Sequence, residues 1–308
     1  MPAILDRILT RRLPCAAIAA LMYTSVLWLP VFGIAANLLT VALFALVCFG
    51  GGVTFALQVG ALAAVGVGLI TQSWGSGLMM LFLYALLPIA AAWTLPTSRD
   101  AANGLRLLAV GLGAATLLFM LVGAGEQDLS LQAFSHQLLN PLFENLEQAS
   151  LPAEADIGQL QTLTAQVLPG ATAAIMWFAW MGSLFIGRSF AVKYGFYPTA
   201  PTPLSYVRFG FGEMLLLALA LVLYLVAGDS VAAYISLNAA ILLAGVYALQ
   251  GLAIAHVWAS RRKLRIFLWL LYPFILMQPV IVLPLIIMGL LDTWFDFRRL
   301  SRPVSGEE

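Results

Sequence analysis

The sequence predicts an all-α polytopic transmembrane helix bundle of about nine hydrophobic segments, with an external amphipathic helical loop. Three observations predict it. Hydrophobic residues make up 62% of the 308 positions and charged residues only 9%, against about a quarter charged in soluble domains. From Leu13 to Ser98 there is no Asp, Glu, Lys, Arg or His. The basic residues fall in alternate connections between apolar segments, as they do when a chain threads a bilayer.

A helix crosses the hydrocarbon core in about 20 residues. The charge-free stretch therefore holds four spans, near 13–30, 33–50, 52–71 and 76–95. Their breaks fall at turn formers: Leu29-Pro30, Gly50-Gly51-Gly52 and Gln72-Ser73-Trp74-Gly75. The basic start, Arg7, Arg11 and Arg12, resembles a signal peptide. The apolar run after it outlasts a signal core of about 7–15 residues, so it reads as a retained first span. A fifth span covers about 103–123. Residues 124–168 then carry Glu126, Asp128, Glu144, Glu147, Glu154 and Asp156 with no Lys or Arg. A sixth span runs from Ala171 to about Phe190, after Leu168-Pro169. A polar loop with Pro198, Pro201 and Pro203 follows, then a seventh span (212–227), a turn at Gly228-Asp229-Ser230 and an eighth span (231–257). The run Arg261-Arg262-Lys263-Arg265 precedes the last apolar segment, 266–291. This organises 1–308 as one membrane domain: five spans in 1–123, an external loop in 124–168, and about four spans with a short tail in 169–308.

Short cytoplasmic loops are rich in Lys and Arg. With the N-terminus inside, 12 of the 15 basic residues fall on the inner side and none in the outer loops. The exceptions are Arg298, Arg299 and Arg302 in the tail. The length of segment 266–291 favours a single crossing, which puts these arginines outside. The alternative is re-entry, favoured by Pro273, Pro279 and Pro284, each of which removes a backbone donor. Trp28, Trp74, Trp93, Trp258, Trp269 and Trp294 fall near span ends, where an amphipathic ring prefers the interface. Trp177 and Trp180 fall inside the sixth span and read as packing residues.

Within the external loop, Leu131, Phe134, Leu138, Leu142 and Leu146 repeat at helical spacing, widened by Leu139 and Phe143. His136, Asn140, Glu144 and Glu147 lie opposite. A second amphipathic helix is expected from Ala155 to Val167, and Asn140-Pro141 is expected to bend the first. Gly60, Ala64 and Gly68 form a small-residue face, as do Ala240, Ala244 and Ala248, and Ala16 with Ala20; such faces let helices approach closely in lipid.

No catalytic constellation is present, and the chain is not expected to be an enzyme. His136 and His256 lie on opposite sides of the expected membrane. Neither they nor Cys15 and Cys48 have metal-ligand spacing. There is no GxxxxGK[ST], HExxH or GxSxG. No span carries an acid near its centre, which argues against proton coupling. No cofactor is expected, and a net charge of +1 gives no reason for nucleic-acid binding. The polar residues at membrane depth are neutral: Asn37, Gln58, Asn238, Gln250 and Gln278. Asn238 and Gln278 are the candidate ligand-binding pair, because a proline-broken helix exposes backbone only where it is buried in protein or lines a cavity.

Three features carry a resemblance: the four charge-free N-terminal spans; the stretch from Leu168-Pro169 through Arg188 to Lys193-Tyr194-Gly195; and Gly289-Leu290-Leu291-Asp292 followed by Phe295-Asp296-Phe297-Arg298. Together they look like the YybS-like family of uncharacterised bacterial membrane proteins. That family is similar, distantly, to the substrate-binding subunits of energy-coupling-factor transporters. The resemblance implies a multi-pass protein of the bacterial inner membrane that captures a small-molecule ligand from outside. It implies docking to a membrane coupling subunit with a separate ATPase, through a small-residue face on the first span. Ala16 and Ala20 match that face in type and spacing. The competing expectation is a non-transport scaffold, assembly or regulatory protein acting within the lipid bilayer.

Overall fold

In the computed structural model, residues 11–97, 102–148, 157–197 and 207–298 are described, and all regular structure among them is helical. The elements are α1 (Arg12–Thr24), a 3-10 turn (Ser25–Leu27), α2 (Pro30–Thr71), α3 (Trp74–Met79), a π-helical stretch (Met80–Leu86), α4 (Leu87–Thr97), α5 (Ala102–Glu126), α6 (Leu131–Gln148), α7 (Ile157–Lys193), α8 (Phe211–Val226), α9 (Val231–Arg261), α10 (Arg265–Met277), a second 3-10 turn (Pro279–Ile281) and α11 (Val282–Phe295). Among the described residues, five helical segments are long and apolar enough to cross a membrane: α2, Trp74–Leu95, α5, α7 and α9. Shorter apolar helices accompany them at Arg12–Leu27, Phe211–Val226, Ile266–Ile275 and Val282–Phe295. The chain divides into two compact units, Met1–Leu112 with Met176–Pro203 and Gly113–Ile175 with Leu204–Glu308.

In the first unit α2 is two helices joined at Gly52, whose φ of 80° and ψ of 168° are open to glycine and break the helix. The arms lie side by side, so that a methyl group on Gly60 would sit 3.7 Å from the Phe44 ring. The expected break at Gly50-Gly51-Gly52 is therefore real. The Gly60, Ala64 and Gly68 face is an internal interface. A Cβ on Gly60 would meet Ala85 at 2.9 Å, one on Gly68 would meet the Trp74 ring at 2.9 Å, and one on Gly77 would meet the Ala64 carbonyl at 2.7 Å. Trp177 and Trp180 are buried, as their central position in a span suggested. Trp180 has a second task. In the π turn the Leu87 N–H donates to the Phe82 carbonyl, five residues back. The next donor in that pattern would be residue 88, a proline with no N–H. The Trp180 indole donates to the Leu83 carbonyl instead, at 3.1 Å.

In the second unit α6 buries Leu131, Phe134, Ser135, Leu139 and Phe143 and leaves Leu138 and Leu142 exposed. Its buried stripe is thus rotated from the one the leucine spacing suggested, and Pro141 lies within one uninterrupted helix. The side chain of Leu146 lies outside the described residues. The expected boundary at Leu168-Pro169 is also absent, because α7 runs through Pro169 as one 37-residue helix. Two side chains of α9 make this feasible. Pro169 has no N–H for the Ala165 carbonyl, four residues back. The Tyr234 hydroxyl donates there at 3.2 Å. The Gly170 N–H donates to Asn238 Oδ1 at 2.7 Å, and Asn238 Nδ2 donates to the Gln166 carbonyl at 3.0 Å.

The expected single crossing of the last segment does not occur. Helices α8 and α9 are antiparallel and joined at Gly228–Ser230. At their far end the Tyr247 hydroxyl donates to the Gly210 carbonyl at 2.8 Å, and the Phe209 N–H donates to Gln250 Oε1 at 2.8 Å. Arg298 Nη1 donates to the Val207 carbonyl at 2.7 Å, and Arg208 pairs with Asp296, at this same end. The turn from α9 into α10 also lies at the end of α9 away from Gly228. The last segment therefore begins and ends on one side. A crossing would have placed residues 296–298 roughly 30 Å away, across the hydrocarbon thickness. The cause is the break at Gln278, where φ is −134° and ψ is 86°, followed by Pro279. It leaves helices of 13 and 14 residues, each roughly 20 Å long at 1.5 Å per residue and too short to span alone.

Candidate functional site: a neutral cavity at Tyr23, Asn37 and Tyr84

Asn238 and Gln278 are not brought together. Asn238 is buried, and both Nδ2 protons are donated, one to the Gln166 carbonyl and one to the Tyr234 carbonyl at 2.8 Å. It borders a cavity of about 190 Å³, almost wholly apolar, that includes Thr116, Met120 and Leu242. Gln278 is exposed at the break between α10 and α11 and does not line that cavity. Ala16 and Ala20 are buried within their own unit, at 4% and 2% exposure, and a Cβ on Gly66 of α2 would touch Ala20 at 3.4 Å. That small-residue face is covered by the chain's own second helix.

Among the membrane-depth amides, Asn37 lines the cavity with the most polar groups beside it. It lines a cavity of about 360 Å³ in the first unit with Tyr23, Thr24, Thr71, Ser76 and Tyr84. The cavity lies where α1 ends, where α2 starts and finishes, and where α3 begins. Small-molecule sites typically measure about 300–1,000 Å³ and combine an apolar wall with a few placed polar groups. Here Val26, Leu27, Ile34 and Leu38 supply the wall. Asn37 Nδ2 donates to the Tyr23 carbonyl at 3.0 Å, which fixes the amide. The Tyr23 and Tyr84 rings meet edge to face with centroids 4.8 Å apart. The Thr24 and Thr71 hydroxyls bond back to the Ala20 and Val67 carbonyls, each at 2.8 Å. The lining contains no charged side chain. It offers hydroxyls, an amide and two aromatic rings, suited to a neutral ligand with hydrogen-bonding edges.

A larger cavity of about 400 Å³ in the second unit takes in Gln132, Gln166, Tyr224, Asp229, Ser230 and Tyr234. Gly228, Asp229 and Ser230 on its wall are exposed turn residues, and the Tyr23–Asn37–Tyr84 cavity is likewise open at the surface, where Leu27 and Ile34 are exposed.

Sequence reasoning missed the strongest polar cluster, because its members come from four separate stretches. Arg298 reaches Asp292 Oδ2 through Nη2 at 2.6 Å and Nε at 3.1 Å, and the two side chains are 6% and 1% exposed. Gln250 Nε2 donates to the same oxygen at 3.2 Å and to the Gly289 carbonyl at 3.0 Å. Close approach of α9 and α11 permits this: a Cβ on Gly251 would strike the Leu285 carbonyl, and one on Gly289 the Tyr247 carbonyl. Asp292 faces Arg298 and Asp296 faces Arg208, so the cluster acts as a structural lock. The available signal was an Asp and an Arg closing an otherwise apolar segment. Among the described residues, no three His, Cys, Asp or Glu gather where they could hold a metal ion.

No curated protein and no solved structure matches the chain. One family does, described as "Predicted membrane protein (DUF2232)", over residues 16–293. With apolar helices throughout and that match covering most of its length, the chain belongs to the DUF2232 family of predicted membrane proteins.

Proposed function

We propose that this membrane protein captures an uncharged small molecule in the Tyr23–Asn37–Tyr84 cavity, as the binding subunit of a transport system energised by another protein. The observation that carries the reading is the cavity itself: about 360 Å³, charge-free, with an oriented amide and an aromatic pair. A charged ligand in such a place would need a buried counter-charge. The cavity sits at the end of α1 remote from Arg11 and Arg12. With the N-terminus cytoplasmic in an inner membrane, it opens toward the outside. The sequence has no P-loop, so energy comes from a separate ATPase. The reading is of a binding protein and not of an enzyme.

Thermal unfolding of the full chain in detergent, against a panel of neutral metabolites, tests this. A stabilising ligand is expected, and Asn37→Leu and Tyr84→Phe are expected to remove its effect while the ligand-free protein stays folded. A ligand that stabilises both variants as well as the parent rejects the site.

A second reading, a membrane scaffold, is favoured by one observation. The amides of Asn238 and Gln250 are engaged in internal helix contacts. A panel with no stabilising member, together with a co-purifying membrane partner, selects that reading.

A further inference from the structure

A further cavity, of about 390 Å³, lies where the re-entrant segment leans on the end of α9. Ile254, Ala255, Val257 and Trp258 of α9 form one wall; Phe267 of α10, Met288 of α11, Phe297 and Arg298 close it. Apart from the Arg298 head group this lining is apolar, and that guanidinium is held by Asp292. At its rim the chain turns cationic. The Arg262 guanidinium lies over the Trp258 ring, 4.7 Å from its centroid, and Arg261 and Lys263 are exposed beside it. Among the described residues the acids packed at this end are engaged elsewhere: Asp292 faces Arg298, Asp296 faces Arg208, and Glu213 accepts from the Gly210 N–H at 2.7 Å. His256 is bonded to the Tyr272 hydroxyl at 2.7 Å.

We propose that this cavity holds an anionic glycerophospholipid, one acyl chain against Ile254, Ala255, Phe267 and Met288 and the phosphate at Arg261, Arg262 and Lys263. The charge pattern names the occupant. An apolar recess that ends in three exposed cations, with no acid paired to them among the described residues, matches a molecule with an apolar tail and an anionic head. Basic pockets between membrane helices select such headgroups. Trp258 joins the two parts, since its ring lines the cavity and carries Arg262. The site is separate from the Tyr23–Asn37–Tyr84 cavity and does not depend on a transport role.

Native mass spectrometry of the full chain tests the proposal, with phosphatidylglycerol and phosphatidylcholine of identical acyl chains offered in equal amounts. Phosphatidylglycerol is expected to be retained at least about tenfold more, given the attraction of several surface cations for one phosphate. The triple variant R261Q/R262Q/K263Q, altered only at exposed positions, is expected to bring that ratio to about one. Ala255→Trp fills the recess and is expected to reduce retention of both lipids. Equal retention by the parent, or an undiminished preference in the triple variant, overturns the proposal. Millimolar inorganic phosphate is expected to leave the bound lipid in place; displacement by phosphate alone marks a free-anion site and overturns it too. If Ala255→Trp fails to fold, the ratio in the triple variant and the phosphate arm decide.

Discussion

The side chain of Asn238 stands in for part of the backbone of another helix: its Oδ1 accepts from Gly170 N at 2.7 Å while its Nδ2 donates to the Gln166 carbonyl at 3.0 Å. It occupies the gap that Pro169 opens in α7.

Asn238→Leu is therefore expected to destabilise the protein. It strands a buried donor and a buried acceptor, and such losses cost about 1–3 kcal/mol each. In membranes measured interhelical bonds lie toward the low end, so about 2 kcal/mol is expected in total. Pro169→Ala restores an N–H to the α7 ladder and is expected to lessen the penalty. The check is a double-mutant cycle in denaturant; additive effects of the two changes sink the idea.

The buried pair Asp292 and Arg298 makes a different forecast. Removing one partner leaves a lone charge in a dry site, at a cost of about 3–5 kcal/mol. Arg298→Leu is expected to lower the melting temperature sharply. The double change D292L/R298L is expected to recover much of that loss, because no charge remains to desolvate. A double variant no more stable than Arg298→Leu contradicts this account.

Packing at Gly68 is tested by comparing Gly68→Leu with Leu69→Ala. A side chain at 68 meets the Trp74 ring at its first carbon, whereas Leu69 is 66% exposed. The first variant is expected to unfold at a clearly lower temperature, and the second to stay close to the parent. Equal melting temperatures would mean that this face is not an interface.

Topology is tested by single cysteines in a background lacking Cys15 and Cys48. Ser260→Cys and Ser301→Cys are expected to respond alike to an impermeant thiol reagent in intact cells, both protected, with Gln127→Cys labelled. Opposite behaviour of positions 260 and 301 restores a single crossing for the last segment. Labelling at 260 and protection at 127 inverts the orientation.

Much of the bundle was legible from residue types. Missing charge located the spans, glycine clusters located the hairpin at Gly52, and the centrally placed Trp177 and Trp180 were read as core. Proline was misread in both directions: a boundary at Leu168-Pro169 and a bend at Asn140-Pro141 were expected where the helices continue, and a single crossing was favoured through Pro279, where the chain turns back. Its effect depends on whether a neighbour supplies the missing donor. At Pro169 two side chains of α9 do, and the helix continues. At Gln278-Pro279 the backbone leaves helical geometry and the segment turns back. A sequence states which donors are absent and not which distant side chain replaces them. The same limit hid the site. Asn37 and Asn238 are both amides among apolar residues, and only the fold shows that one faces a cavity and the other closes a gap. Arg208 could not be matched to Asp296 while the tail was assigned to the opposite side from Arg208.

The contact between Trp180 and the Leu83 carbonyl has a consequence for inheritance. The indole supplies the hydrogen bond that Pro88 withholds, so each residue is useful chiefly in the presence of the other. A relative with an ordinary residue at position 88 regains its own donor, and its position 180 is then free to drift to any large apolar side chain. A relative that keeps the proline is held to a donor at 180. Across the family the two positions are expected to change in step, and a set of sequences in which they vary independently would show that the ring at 180 is kept for its bulk alone.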